Sequence, residues 1–327
     1  NGFSAAFMRH DLSELEDDGQ NPWLVRITRR EIETLSPETH AFLEYRGPQD
    51  QEIVRRMYAG RPTLCGDGPG AWGVTLYTDM AHEHIYNSAR DKDLFTDPAT
   101  GRLYSVATIL GREPSSTEET IAHMRERGFW PVWEGKHIEQ YVVGIKPIRW
   151  WLSAEAAKRK YGKPPRQEAT LVFRETARNT DQRTCIAAVL PPFSAGAHTL
   201  SGVLLEGVNP DAAATVLNSF CFDFALRLRT AGTHVSFTYM RPMPVPPTDV
   251  VNRLPRIPTH LAWIAGIEHI TDNRDLWPLL WDANRAVAEA YGLDAADFEH
   301  ILATFPVFAR KHPDFFAYLR QRLEEWR

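Results

Sequence analysis

Arg174-Glu175-Thr176-Ala177-Arg178-Asn179-Thr180-Asp181-Gln182-Arg183-Thr184 leads directly into the apolar run Cys185-Ile186-Ala187-Ala188-Val189-Leu190. The second half reads as a strand, bounded by a polar turn on one side and Pro191-Pro192 on the other. The first half is of another kind. Three arginines at spacings of four and five stand among short amide and hydroxyl side chains. Guanidinium forks, Asn and Gln amides and Thr hydroxyls are groups that grip phosphates and read base edges. The same groups also suit a polar hairpin whose arginines pair with nearby carboxylates. Extended backbone would place Arg174 and Arg178 on one face and Arg183 on the other. Only Glu175 and Asp181 are near in sequence, and Thr176, Asn179, Thr180 and Gln182 stand where a core strand would carry Val or Ile. The stretch is therefore expected at the surface, not in a buried ion-pair network.

Outward from this segment, 61 to 250 is rich in strand signals. Trp72 to Tyr77, Gln140 to Ile145, Thr170 to Phe173, Thr184 to Leu190 and His234 to Tyr239 are β-branched or aromatic runs between turn residues. Two helices are predicted among them. One is Ser116 to Arg127, capped by serine. The other is Asp211 to Arg229, with Asp211 as N-cap and Val216, Leu217, Phe220, Phe224 and Leu228 as its core stripe. Arg227 and Arg229, in its last turn, are expected on its own carbonyls. From 251 onward the periodicity is helical, over Leu276 to Tyr291, Asp294 to Thr304 with Asp294 as cap, and Pro313 to Trp326. Residues 1 to 60 hold the acidic tract Asp11 to Asp18 read as loop, a strand at Trp23 to Ile27, and a helix at Gln51 to Tyr58 with Ile53, Val54 and Met57 at helical spacing. The fold class expected is α+β, a mixed-sheet domain with inserted helices followed by a helical C-terminal segment, divided as 1–60, 61–250 and 251–327.

At 327 residues and 43% hydrophobic, the chain can bury a large core. No apolar run approaches the roughly 18 residues of a membrane span, and no secretory leader opens the sequence. Cys65, Cys185 and Cys221 lie far apart with no CxxC pair, which predicts buried thiols in a reducing, cytoplasmic compartment. A net charge of −5 argues against indiscriminate nucleic-acid binding, so the distribution matters. From Lys146 to Arg183 there are ten basic and four acidic residues, a net of +6, and the rest of the chain carries −11. That asymmetry suits one face meeting phosphate, or a solvated helix face.

Asn179 to Thr184, followed by Ile186-Ala187-Ala188-Val189-Leu190-Pro191-Pro192, resembles part of the C-terminal target-recognition region of adenine-specific DNA methyltransferases, including fused type IIG restriction–modification enzymes and related phage-defence methylases. Trp133-Glu134-Gly135-Lys136-His137-Ile138 is similar to that family's upstream aromatic-Glu-Gly-Lys segment. Trp72-Gly73-Val74 through Leu94-Phe95, Leu217-Asn218-Ser219-Phe220, Pro242-Met243-Pro244-Val245-Pro246 and Tyr291-Gly292-Leu293 resemble further pieces in the family's order. The resemblance implies sequence-specific recognition of double-stranded DNA, in partnership with a methyltransferase catalytic domain that uses S-adenosylmethionine. It does not extend to the catalytic tetrad, Asn/Asp-Pro-Pro-aromatic. Of the Pro-Pro pairs, only Leu190-Pro191-Pro192-Phe193 has the aromatic, and Leu190 offers no side-chain acceptor. Leu64-Cys65-Gly66-Asp67-Gly68-Pro69-Gly70 is followed by Ala71 to Tyr77, which reads as a strand, so this loop reads as a turn between strands and not a cofactor cradle. Methyl transfer and its cofactor are thus expected outside this chain, and the start at Asn1 without Met suits a piece of a longer protein.

The resemblance and the charge pattern together nominate Lys136, Arg149, Lys158, Arg159 and Lys160 for phosphate contact, and Arg174, Arg178, Asn179, Gln182 and Arg183 for base or phosphate contact. Two other readings stay open. Glu134-Gly135-Lys136 matches half of a Mg²⁺ nuclease core, with Asp97 the nearest upstream aspartate. A protein-interaction module using the aromatic, acidic C-terminal helices needs no DNA. His82-Glu83-His84 could start a metal site, but no third ligand stands at a standard spacing, so no metal is expected.

Overall fold

The computed structural model describes residues 2–9, 11, 14, 21–77, 85–87, 89–112, 118–162, 165, 167–230 and 232–327. His82-Glu83-His84, most of the acidic tract at 11–18, and Ser116 lie outside them. A four-stranded antiparallel sheet has the spatial order Ala187–Leu190, Thr170–Arg174, Leu200–Leu205, Val74–Tyr77. A second four-stranded sheet has the order Ile85–Tyr86, Ala195–Ala197, Phe129–Trp133, Trp150–Ser153. Ala195–Ala197 pairs parallel with both of its neighbours, and the Trp150–Ser153 edge is antiparallel. Three short strands, Ile138–Glu139, Val142–Val143 and His260–Leu261, make a third sheet. Gly2–Ala5 pairs with Val25–Thr28 as a ribbon. With the helices around them, these mixed sheets make an α+β fold.

The polar stretch and its apolar continuation straddle the first sheet. Thr170–Arg174 lies between two neighbours and is buried along its first four residues. Gly202 opposes Tyr77, and a β-carbon there would fall 2.2 Å from the phenol ring, so only glycine lets the ring lie across the strand. Ala187–Leu190 then turns through Pro191-Pro192-Phe193-Ser194 into Ala195–Ala197 of the second sheet.

Several elements differ from the sequence expectation, most of them through a partner distant in sequence. The helix expected over 211–229 is two helices, Pro210–Leu217 and Phe220–Arg227. Between them, the Asn218 amide pairs with both backbone groups of Ala187, at 2.9 Å each. Ser219 starts the second helix by accepting the Phe222 N–H. The first helix is capped by Asn209, whose oxygen accepts from Asp211 and Ala212, so Asp211 sits in the first turn and is not the cap. The His234 to Tyr239 strand reduces to one bridge between His234 and Thr176, then a helical turn, Phe237–Met240. The 175–177 backbone offers Val235 and Thr233 only two ladder bonds before it turns away. In the Gln140 to Ile145 run, Tyr141 adopts φ 60° and leaves only Val142–Val143 as strand. Its N–H donates to Ala187 and its carbonyl accepts from His260. Arg227 and Arg229 do not serve their own helix end: Arg229 donates to the Leu35 carbonyl and the Tyr58 hydroxyl.

Three C-terminal helices follow their periodicity closely, Trp277–Ala290, Ala295–Ala303 and Pro313–Trp326, and a short helix that the periodicity did not suggest, Pro306–Lys311, lies between the last two. Asp294 caps the second, in a box with Asp297. Ile53, Val54 and Met57 of the helix Pro48–Tyr58 share one buried core with Phe220, Phe224, Trp281, Phe298, Phe305 and Phe315. The proline-rich segment is a buried spine whose carbonyls at Pro244 and Pro246 accept from the Tyr291 hydroxyl and the Trp72 indole. Cys185 and Cys221 are buried free thiols and Cys65 is half-buried. No helix among the described residues is long and apolar enough to cross a membrane.

Candidate nucleic-acid interface

The loop from Arg174 to Thr184 is tied down at both margins. The Glu175 N–H donates to the Thr199 carbonyl, and the Ser201 hydroxyl donates to the Glu175 carboxylate at 2.6 Å. At the tip, the Asp181 carboxylate accepts the Arg178 N–H at 2.9 Å, closing a short turn that leaves Arg178, Thr180 and Asp181 exposed and Asn179 half-buried. The Thr184 hydroxyl donates to the Arg178 carbonyl, and Arg227 Nη2 donates to the Asp181 carbonyl. The turn is thus gripped from beneath by two residues of the interior.

Arg183 belongs to that interior. It is 4% exposed, its Nε is 2.6 Å from Asp223 Oδ2, and its Nη2 donates to the Asn218 carbonyl. Asp223 also accepts from Arg227 Nε at 3.2 Å and from the Thr184 N–H. Phe220 lies 4.2 Å from the Arg183 guanidinium carbon and Phe305 4.1 Å from that of Arg227, so aromatic faces cover both cations. Burial pulls the Arg227 pKa below its usual value, against the opposing pull of Asp223. The expectation that Arg183 faces DNA is therefore corrected. Its counter-ion was not near in sequence but 40 residues on, in a helix that folds underneath. One faint signal existed, since Asp223 and Arg227 stand at i,i+4. Arg174 is half engaged: its Nη2 donates to the Ile138 carbonyl and lies near Glu139 Oε1. Gln182 is half-buried, with its amide oxygen 3.3 Å from His312 Nε2.

A second group of cations gathers at the turn Glu134–His137, where Phe129–Trp133 ends. The Gly135 N–H donates to the Thr199 hydroxyl, and a β-carbon on Gly135 would meet the Arg174 side chain at 3.2 Å. The Gly144 and Ile145 N–H groups both donate to the His137 carbonyl, which brings exposed Lys146 to the same turn. Arg149 is exposed, with its guanidinium 4.7 Å over Trp150, on the strand that runs beside Val132. Sequence reasoning passed over Lys146 and the positioning role of Thr199. His137 is fully buried and accepts the Glu134 N–H on Nδ1 at 2.9 Å, and burial pulls its pKa down to about 4. Lys136 Nζ lies 2.8 Å from the Glu134 carboxylate, which blunts both as free groups. Asp97 closes its own turn with Ala99 and Thr100. Among the described residues, no three His, Cys, Asp or Glu side chains group as metal ligands.

The third group lies on the helix Ala154–Tyr161, capped by Ser153. Ala157 packs inward, while Lys158 and Arg159 are exposed. Arg159 makes an exposed pair with Glu155 at 3.0 Å, worth at most about 1 kcal/mol. Lys160 differs. Its Nζ is 3.2 Å from buried Asp91 and 2.7 Å from Asp93, so it fastens the helix to the 91–93 turn. The glycine loop at 66–70 runs on through Trp72 into the strand Val74–Tyr77, not into a helix. No protein-family model and no curated protein matches the chain.

Proposed function

We propose that the chain recognises double-stranded DNA sequence-specifically, as the recognition part of an adenine-specific DNA methyltransferase or restriction–modification protein. The observation that supports this best is the loop at 178–181, whose edge of exposed Arg178 and Thr180 and half-buried Asn179 is held by buried Thr184 and Arg227. Readout of base edges needs donors and acceptors fixed before contact, because ordering a loose loop on binding weakens affinity. Beneath the turn, two arginines share one carboxylate, so the buried support carries a net positive charge that favours an anionic partner above it. Lys146, Arg149, Lys158 and Arg159 supply exposed cations for phosphate, and Arg183 is left out. S-adenosylmethionine and the transfer of the methyl group belong to a catalytic domain with which this chain would act. That domain would receive the target adenine once it has left the duplex.

The test is selection from a randomised duplex pool, followed by titration of the enriched site at several salt concentrations. Binding should fall steeply with salt, and Arg178→Ala should reduce discrimination between enriched and random duplex by roughly 1–3 kcal/mol at unchanged melting temperature. A chain that enriches no sequence and binds no duplex at low salt would sink the reading.

A further inference from the structure

We infer that Phe193 is a stacking residue for a nucleobase opened from the duplex, presented beside the basic helix Ala154–Tyr161; the inference rests on the DNA-binding reading above. Phe193 follows Pro191-Pro192 at the corner between the two large sheets. Its φ is +56°, in the left-handed region that a side chain with a β-carbon rarely adopts. The residue is 39% exposed, and its ring meets the Trp130 ring edge-to-face at 5.5 Å. Tyr141 has a similar φ, but it is buried and held by hydrogen bonds of its N–H and carbonyl. Phe193 has the strain without the burial. Its backbone is pinned by an N–H donated to the Gln167 carbonyl at 3.1 Å. The next residue adds a second cost, since the Ser194 hydroxyl is buried with no hydrogen-bond partner among the described residues. Strain, an exposed aromatic and an unpaired hydroxyl at one corner mark a place shaped for something other than stability.

The surroundings name the partner. Trp130 shares a small core with Leu152 of the edge strand and Ala157 of the basic helix. On that helix Lys158 and Arg159 are exposed. A rigid aromatic edge near exposed cations fits a base with its phosphates. Proteins that open or kink a duplex insert such apolar wedges, and base–aromatic stacking tolerates any sequence because every base has a π-face. The ligand class is therefore an unstacked base in DNA, and the contribution is to opening the duplex, separate from sequence readout at 178–180.

The experiment uses the whole chain with Phe193→Ala, Phe193→Gly and Phe193→Trp, and duplexes carrying 2-aminopurine at successive positions of the enriched site. Wild type should raise 2-aminopurine fluorescence at one position. Phe193→Ala should abolish that rise and weaken binding roughly 5- to 100-fold with the salt slope unchanged. Phe193→Trp should restore both. Phe193→Gly should bind as poorly as Phe193→Ala yet melt at or above wild type, because glycine relieves the left-handed strain. Equal binding and equal fluorescence for Phe193→Ala and wild type would overturn the inference and leave the DNA reading standing. A wild type that binds no duplex would overturn both. If Phe193→Ala and Phe193→Gly lose binding only in step with lowered melting temperatures, the ring is packing for Trp130 and the inference fails.

Discussion

Arg183 and Arg178 stand five residues apart in one polar stretch and do opposite things. The interior claims Arg183 because Asp223 offers it a carboxylate and Phe220 a ring face. Removing one member of a buried charge pair leaves the other without compensation. Arg183→Ala should therefore cost roughly 3 kcal/mol of stability, read by urea denaturation, while Arg178→Ala should cost almost none. Equal midpoints for Arg183→Ala and wild type would show that Arg227 alone satisfies Asp223. Nothing within ten residues of Arg183 announces its partner, and for that reason its chemistry looked like surface chemistry. His137 makes the residue scale sensitive to pH. Its folded pKa is drawn to about 4, mainly by burial, with Glu134 opposing and Lys136 assisting. The unfolded chain thus binds the extra proton first, so this contribution is complete above about pH 6.5 and is lost as pH falls from there towards 4. Stability should drop by a few kcal/mol over that window, at about 1.4 kcal/mol for each tenfold difference in proton affinity between the folded and unfolded chain. His137→Asn keeps an acceptor for the Glu134 N–H, and its melting temperature should vary less between pH 7 and 4.5. An unchanged pH profile in that variant would show that other groups set the acid limit.

Elements were legible where their signals are local. The C-terminal helices follow a 3.6-residue period and carry their caps with them, as at Asp294 and Asp297. The split at Asn218 was illegible because its partner is Ala187, 31 residues away, and nothing in a helical pattern forbids an asparagine. The basic helix Ala154–Tyr161 shows the same division of roles within three residues. Lys158 and Arg159 face solvent, whereas Lys160 anchors to Asp91 and Asp93. If the DNA reading holds, Lys158→Ala with Arg159→Ala should lower the slope of log binding against log salt by about two, equally for enriched and random duplexes. Adding Lys160→Ala should leave the slope near that value and lower the melting temperature. A further full unit of slope on removing Lys160 would return that lysine to the phosphate contacts.

At the scale of the whole molecule, charge and hydrophobic content were readable from composition, but the sharing of one core by distant segments was not. The sequence was read as dividing at 60 and 250, and across both lines buried residues share one core. Phe220, in the middle of the chain, has Phe298, Phe305 and Phe308 as ring neighbours, with centroids 6.3, 5.0 and 5.2 Å away. Its N–H donates to the Asn284 amide oxygen at 3.0 Å. From the other side, Arg229 reaches the Leu35 carbonyl and the Tyr58 hydroxyl, and His300 lies 2.6 Å from buried Asp50. Cutting out 61–250 would expose Phe220 and remove the ring that covers Arg227. At about 2 kcal/mol for each large apolar side chain returned to water, loss of a few such contacts matches the whole stability of an ordinary domain. The excised 61–250 segment should therefore lack a cooperative urea transition and a near-ultraviolet circular dichroism spectrum, and it should bind duplex without sequence preference if it binds at all. Supplying 251–327 as a separate chain should restore part of the ordered spectrum, because those helices carry Phe298, Phe305 and Phe308. A 61–250 segment that unfolds in one sharp transition would show that the two large sheets hold themselves together, and that the aromatic cover over Arg183 and Arg227 adds little.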